Sequence, residues 1–167
     1  MSERVSTPGS SRPARIFIIS GPGGVGKGTI VDALMRRDPR LLLSCSWTTR
    51  TQRPGERDDA YVFTDRDAFE SHRDAGGFLE WTEFLGNYYG TPVPDLSQGR
   101  DVVLEIDFQG AVQVKKLFAN AVSIFILPPS WEELKSRLHN RGEDAPEVIA
   151  LRLQNAADEM AKASEFD

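Results

Sequence analysis

Residues 16–20, Ile-Phe-Ile-Ile-Ser, form an apolar run rich in β-branched side chains, which predicts a strand. From Lys27 the period changes. Ile30, Val31, Leu34 and Met35 recur at helical spacing, and Asp38-Pro39 stops that helix after Arg37. Residues 41–46 read as a second strand, 47–59 as a charged loop and 61–63 as a short strand. Asp65 is placed to cap a helix with Phe69 on its inner face and Gly76-Gly77 at its end. Residues 78–85 alternate as a strand, Gly86-Asn87 signals a tight turn, and residues 88–91 continue from it. A short helix is expected at 94–98, a buried strand ending in acids at 101–106, a helix at 111–118 and an apolar strand at 122–127. Ser130 with Glu133 makes a capping box for a helix to Asn140, and Pro146 opens a last helix to Ser164.

Strands alternate with helices in the outer parts of the chain, which predicts an α/β fold with a parallel, helix-covered sheet. Residues 46–91 break that alternation with more strands, turns and charges, and read as an inserted lobe. The expected division is a core of residues 14–45 and 92–167, with the lobe between them. Residues 1–13 are rich in Ser, Pro, Gly and Arg and read as a disordered lead-in, with no apolar centre of a secretory signal.

Composition narrows the function classes. A hydrophobic fraction of 40% over 167 residues supports a packed single domain. A net charge of −5 argues against a general nucleic-acid binder. No stretch has the length and apolarity to span a bilayer. The single cysteine, Cys45, allows no internal disulfide, reads as a buried inert thiol and fits a cytoplasmic location.

The chemistry begins where the first strand ends, at Gly21-Pro22-Gly23-Gly24-Val25-Gly26-Lys27-Gly28-Thr29. A glycine-rich turn between strand and helix lets backbone N–H groups converge on phosphate oxygens, with the positive end of the helix aimed at the same spot. Lys27 adds a point charge for the outer phosphates. The pattern predicts a nucleoside triphosphate site that takes Mg2+ with the phosphates. Gly28 stands where such loops usually carry the hydroxyl that meets the metal, so a direct role for Thr29 at Mg2+ is left open.

The lobe carries a second constellation. Arg50 and Arg53, three residues apart, suit bidentate capture of a phosphate, and Tyr61 and Tyr89 offer phenolic donors to the same group. Glu80 lies among large apolar residues, and Ser46 supplies a hydroxyl just before the arginine loop. These types match guanosine monophosphate. Glu80 would accept from N1–H and the 2-amino group, and Ser46 would donate to the 6-carbonyl. Adenine would leave buried groups unpaired, a mismatch that rejects a competitor on the order of 10⁴-fold.

Together, the phosphate loop, Ser46 with Thr48-Thr49-Arg50 and Arg53-Pro54-Gly55-Glu56, residues 78–81, Gly86-Asn87-Tyr88-Tyr89-Gly90, Glu105-Ile106-Asp107-Phe108-Gln109-Gly110 and Arg141-Gly142 resemble the guanylate kinase family over nearly all of the chain after the tail. The resemblance implies a P-loop core with the ATP site, a GMP-binding lobe and a helical lid at about 136–153. It implies phosphoryl transfer from ATP to GMP in purine nucleotide metabolism. It also implies GMP contacts from Ser46, Arg50, Arg53, Glu56, Tyr61, Glu80, Tyr89, Gly90, Thr91 and Asp107. Asp107 is open between magnesium water and GMP, with Glu105 expected on the same strand face. Arg137, Arg141 and Arg152 are the implied lid arginines, the first two four residues apart on one helix. Monomer and homodimer both remain open. Two other readings share these motifs. A phosphopeptide-binding scaffold of this kind tends to lose the phosphate loop, and a sugar-phosphate kinase would not need Glu80 and Ser46 together. The chain departs from the family's pattern at Gly23, Trp47 and Gln52. It ends at Glu165-Phe166-Asp167, short of a further core strand with an adenine-side asparagine and a final helix, so a truncated record or an unusually short protein is expected.

Overall fold

A computed structural model describes residues 13–140 and 145–167. The lead-in expected at residues 1–13 lies outside these but for its last residue. Four parallel strands form the main sheet: β1 (Ile16–Ser20), β2 (Leu41–Ser44), β7 (Asp101–Glu105) and β8 (Val122–Phe125), in the order β2-β7-β1-β8. The crossover helices α1 (Lys27–Arg37) and α3 (Phe108–Leu117) cover its two faces. Side chains alternate across the pleat. Ile16, Ile18, Val102 and Leu104 face Ala111 and Val114 of α3, whereas Ile19 and Val103 face Val31 and Met35 of α1. β7 lies between two strands, and Val102, Val103 and Leu104 are all buried, which is why this stretch reads as a continuous apolar run.

The smaller sheet holds β3 (Trp47–Thr48), β4 (Val62–Phe63), β5 (Phe78–Phe84) and β6 (Asn87–Pro92), in the order β4-β3-β6-β5. Only β3 and β4 run parallel in it. Helix α2 (Arg66–Asp74) packs on this sheet through Phe69, which is fully buried against Phe78 and Tyr88. Its cap is the expected one, with Asp65 Oδ1 accepting from Ala68 N at 2.8 Å. Gly90 is set by this packing. A Cβ there would stand 2.9 Å from both Phe69 and Phe78. Trp47 stacks on His72 at 4.3 Å and meets Phe78 edge-on, which makes both residues part of the lobe's interior.

Helices α4 (Trp131–Asn140) and α5 (Pro146–Met160) pack together through Leu134, Leu138, Ile149 and Ala156. Among the described residues no helix is long and apolar enough to cross a membrane.

Several boundaries differ from expectation. Helix α3 begins at Phe108, three residues early, because Asp107 caps it: its Oδ1 accepts from Gly110 N at 2.7 Å. The strand therefore ends at Glu105, and Glu105 and Asp107 do not share a strand face. On α1, Val31 is buried but Ile30 and Leu34 are more than a third exposed, so only half of the apolar stripe meets the sheet. The loop expected at 47–59 contributes strand β3, and the last helix stops at Met160 before a separate 3-10 turn at Ala163–Glu165.

Candidate functional site

Because β1 and β7 run side by side and parallel, their C-terminal ends open at one place. There the structure forms a cleft of about 480 Å³ between the core, the lobe and α5. Of the expected site residues it brings together Gly21, Gly23, Gly24, Gly26, Lys27, Gly28 and Thr29 from the loop after β1. From the lobe it adds Ser46, Arg50, Arg53, Glu56, Tyr61, Glu80, Tyr89 and Gly90, and from elsewhere Asp107 and Arg152. Pro22 and Val25 are buried beneath the loop. Thr91 touches the cleft through Glu80. Arg137 lies behind the loop, donating to Val25 O at 3.0 Å and to Glu133 at 2.9 Å. Helix α4 ends at Asn140, and Arg141 lies outside the described residues.

The loop is a glycine structure for steric reasons. Gly21 has φ 143°, and a Cβ on it would lie 2.5 Å from Ile126 O; Gly24 and Gly26 have φ 89° and 102°. Only glycine adopts such backbone at little cost. Lys27 Nζ spans the turn, donating to Gly21 O at 2.7 Å and Pro22 O at 3.3 Å.

Two carboxylates, Glu105 and Glu159, lie where they feel the charge of Lys27. Glu105 Oε1 and Oε2 are each 3.9 Å from where a Gly28 Cβ would be. Burial raises the Glu105 pKa, Lys27 pulls it back, and Asp32 adds to the rise. Glu159 on α5 is pushed up to about 7, chiefly by burial, with Asp107 adding to the rise and Lys27 and Lys162 opposing it. Asp107 faces the other way, toward Glu80 and Gly110. The two acids around Ile106 thus differ in surroundings: Glu105 lies beside Gly28 and feels Lys27, whereas Asp107 caps α3 and its charge reaches both Glu80 and Glu159.

On the lobe side, β5 and β6 set Glu80 opposite Thr91, and Thr91 Oγ1 donates to Glu80 Oε1 at 2.5 Å. Glu80 is 6% exposed. Burial raises its pKa to about 7, the Thr91 bond opposes this, and the Asp107 charge reinforces it. Arg50 is held by both oxygens of Glu56, at 2.8 and 2.9 Å, and lies over the rings of Tyr61 and Phe63. Burial works against the Arg50 charge, and the Glu56 bond and charge more than reverse that. Glu56 Oε2 also accepts from Arg53 N at 3.0 Å, so one carboxylate ties the two arginine positions together. Thr48 Oγ1 donates to Tyr88 O, and Thr49 Oγ1 accepts from Tyr88 N, which pins the start of this loop to β6. Tyr61 meets Tyr89 edge-on at 6.2 Å, and burial pushes its hydroxyl up to about 12, so it remains a donor. Cys45 lines the cleft rather than the core; burial raises its thiol pKa and keeps it protonated.

Two features escaped the sequence reading. Asn155 and Glu159 line the cleft with Arg152. Their offsets of three and seven from Arg152 place all three on one face of α5, a helical spacing visible in the sequence. Arg57 NH1 donates to Asp32 Oδ1 at 2.9 Å, joining the arginine loop to α1 across the cleft. No local pattern signals that pair.

Residues 13–167 match the family model described as guanylate kinase. The chain is 50% identical over 160 residues to the guanylate kinase of Polaromonas sp., covering 93% of this chain and 78% of that protein. It is 52% identical over 160 residues to the guanylate kinase of Aromatoleum aromaticum, with the same coverage. The crystal structure of guanylate kinase from Anaplasma phagocytophilum superposes with a TM-score of 0.75 at 32% identity, covering 93% of this chain and 74% of that one.

Proposed function

Since this chain belongs to the guanylate kinase family of nucleoside monophosphate kinases, we propose that it transfers the terminal phosphoryl group of ATP to GMP, giving ADP and GDP, with the two nucleotides meeting in the one cleft. The single observation that carries the reading is the pairing of a lysine-bearing glycine loop with a buried carboxylate and a clamped arginine across the same 480 Å³ space. The test is a coupled assay with GMP, AMP and ribose phosphates as acceptors. Turnover confined to GMP supports the reading. Turnover of a ribose phosphate, or saturable GMP binding with no turnover, rejects it.

The acceptor phosphate is already an anion, so the step needs no general base, and catalysis is positioning plus charge stabilisation. In this reading the loop amides and Lys27 hold the triphosphate. Arg50, Arg53, Tyr61 and Tyr89 hold the phosphate of GMP in line with it. Glu80 and Ser46 read the base, and Asp107 adds a second acceptor on the guanine side. Arg152, which lines the cleft beside Gly23, would compensate developing charge, and Arg137, held on Val25 O and Glu133, would support the loop from its other side. The donors near Gly28 are hard oxygens, which fits Mg2+ carried on the phosphates, with Glu105 and Thr29 as the groups that would hold its water shell. When bound, that ion would neutralise charge on the phosphate oxygens.

Glu56 acts through Arg50 in this scheme. Glu56→Gln is expected to raise KM for GMP about 10-fold with KM for ATP unchanged, since a loosened guanidinium loses alignment. Steady-state kinetics in both substrates checks this, and equal changes for both would reject it.

The Glu80 pKa gives opposite pH trends for binding and stability. Accepting two N–H bonds requires the ionised form, so GMP affinity improves as pH rises through about 7. The folded value lies above the ordinary 4.5, so folding favours the proton. That contribution to stability is full below 4.5 and lost as pH rises through about 7. Glu159 has the same sign. Calorimetric GMP binding and thermal melting between pH 5 and 8 would show the two trends. Glu80→Gln serves as reference for the phosphate of GMP itself, which titrates near 6.

A further inference from the structure

We propose that Gly110 is a specificity-determining position: its bare Cα is the wall against which the Glu80 carboxylate is seated, and any side chain there displaces the guanine-reading group. The inference rests on the reading of Glu80 as the acceptor for guanine.

Gly110 is buried in the first turn of α3, and its φ lies outside the left-handed region. The backbone would therefore accept any L residue, and glycine is a poor helix former. Space explains its presence. A Cβ would stand 2.8 Å from Glu80 Oε2, 2.9 Å from Glu80 Cδ and 3.3 Å from Asp107 Oδ1. Asp107 cannot retreat without giving up its bond to Gly110 N, which caps the helix. Glu80 must move instead, and its movement strains the Thr91 bond that aims it. Gly90 makes the contrast clear. Its Cβ would strike aromatic rings of the lobe's interior, so that glycine serves packing, whereas Gly110 makes room for a carboxylate.

The test is Gly110→Ala, measured for KM of GMP and ATP, for the acceptor ratio of GMP to inosine monophosphate, which lacks the 2-amino group, and for melting temperature. Expected are a rise in KM for GMP of at least about 10-fold, KM for ATP within about twofold, and a GMP preference falling toward one. Melting is expected unchanged or about 2–4 °C higher, since alanine favours the helix. In a Glu80→Gln background the same change should add little to KM, because the two act through one group. A folded variant with unaltered GMP preference, additive effects in the double variant, or a variant that fails to fold would each overturn the proposal. If Glu80→Gln itself leaves KM for GMP unchanged, the parent reading of Glu80 fails. If Glu80→Gln raises KM and Gly110→Ala does not, only the Gly110 inference fails.

Discussion

Lys27→Ala is expected to lower kcat by at least about 100-fold, the loss typical of removing one preorganised charge from a transition state. Lys27 Nζ lies across the phosphate loop on Gly21 O and Pro22 O, which sets the ammonium at the turn expected to hold the triphosphate. Its neighbours deepen the effect. Lys27 offsets the burial of both Glu105 and Glu159, lowering each pKa. Without the lysine those carboxylates would face the triphosphate with less compensation, repelling it or taking up protons. ATP affinity should therefore fall together with turnover. Lys27→Arg should not restore activity, because a planar fork does not reproduce the compact ammonium that bonds two adjacent carbonyls. Coupled-assay kinetics with circular dichroism as the folding control checks this. Near-normal turnover in a folded Lys27→Ala protein would refute the role.

Why the loop was legible and parts of the cleft were not is a matter of range. The strand-loop-helix at Ile16–Arg37 is local: β-branched residues, glycines with positive φ and a helical stripe all lie within 22 consecutive positions. The continuous apolar runs of β1 and β7 are likewise local, the mark of strands covered on both faces. The start of α3 was missed because Phe108, Gln109 and Gly110 carry no helical stripe. The helix begins there since Asp107 caps it, and Gly110 tolerates its place because Glu80, thirty residues earlier, occupies the space. The exposure of Ile30 and Leu34 also depends on tertiary packing, as the helical period marks a stripe but not which half of it meets a sheet. Arg57 with Asp32 is a contact between units that no window of sequence contains. Glu105 and Asp107 show the same limit at close range. A strand running on to Asp107 would have set them on a common face, but β7 ends at Glu105, which feels Lys27, and Asp107 caps α3 with its charge felt by Glu80.

Glu80→Gln is expected to raise KM for GMP by at least about 100-fold with little change in KM for ATP. Ionised Glu80 offers two acceptor oxygens in one plane, and Oε1 remains able to accept a second bond beside the one from Thr91, since each carboxylate oxygen has two lone pairs. Glutamine offers one oxygen and one amino group. With the amide nitrogen toward guanine, donor meets donor; with it toward Thr91, whose hydroxyl can accept, one oxygen is left for two guanine N–H groups. Either way a buried guanine donor loses its partner at a cost of about 1–3 kcal/mol, more where a charged bond is lost. Stability should move the other way. Glu80 is 6% exposed and its carboxylate feels the Asp107 charge, and its raised pKa means that the fold resists its charge. At pH 8 the neutral amide removes that strain, so the variant should melt no lower than the parent while binding GMP far more weakly. Such a pairing marks a group held for binding at the expense of the fold. Calorimetry of GMP and of a non-hydrolysable ATP analogue, with melting at pH 8, separates the cases: equal losses for both nucleotides, or weakened GMP binding with a large drop in melting temperature, would mean that Glu80 supports the lobe rather than reading the base.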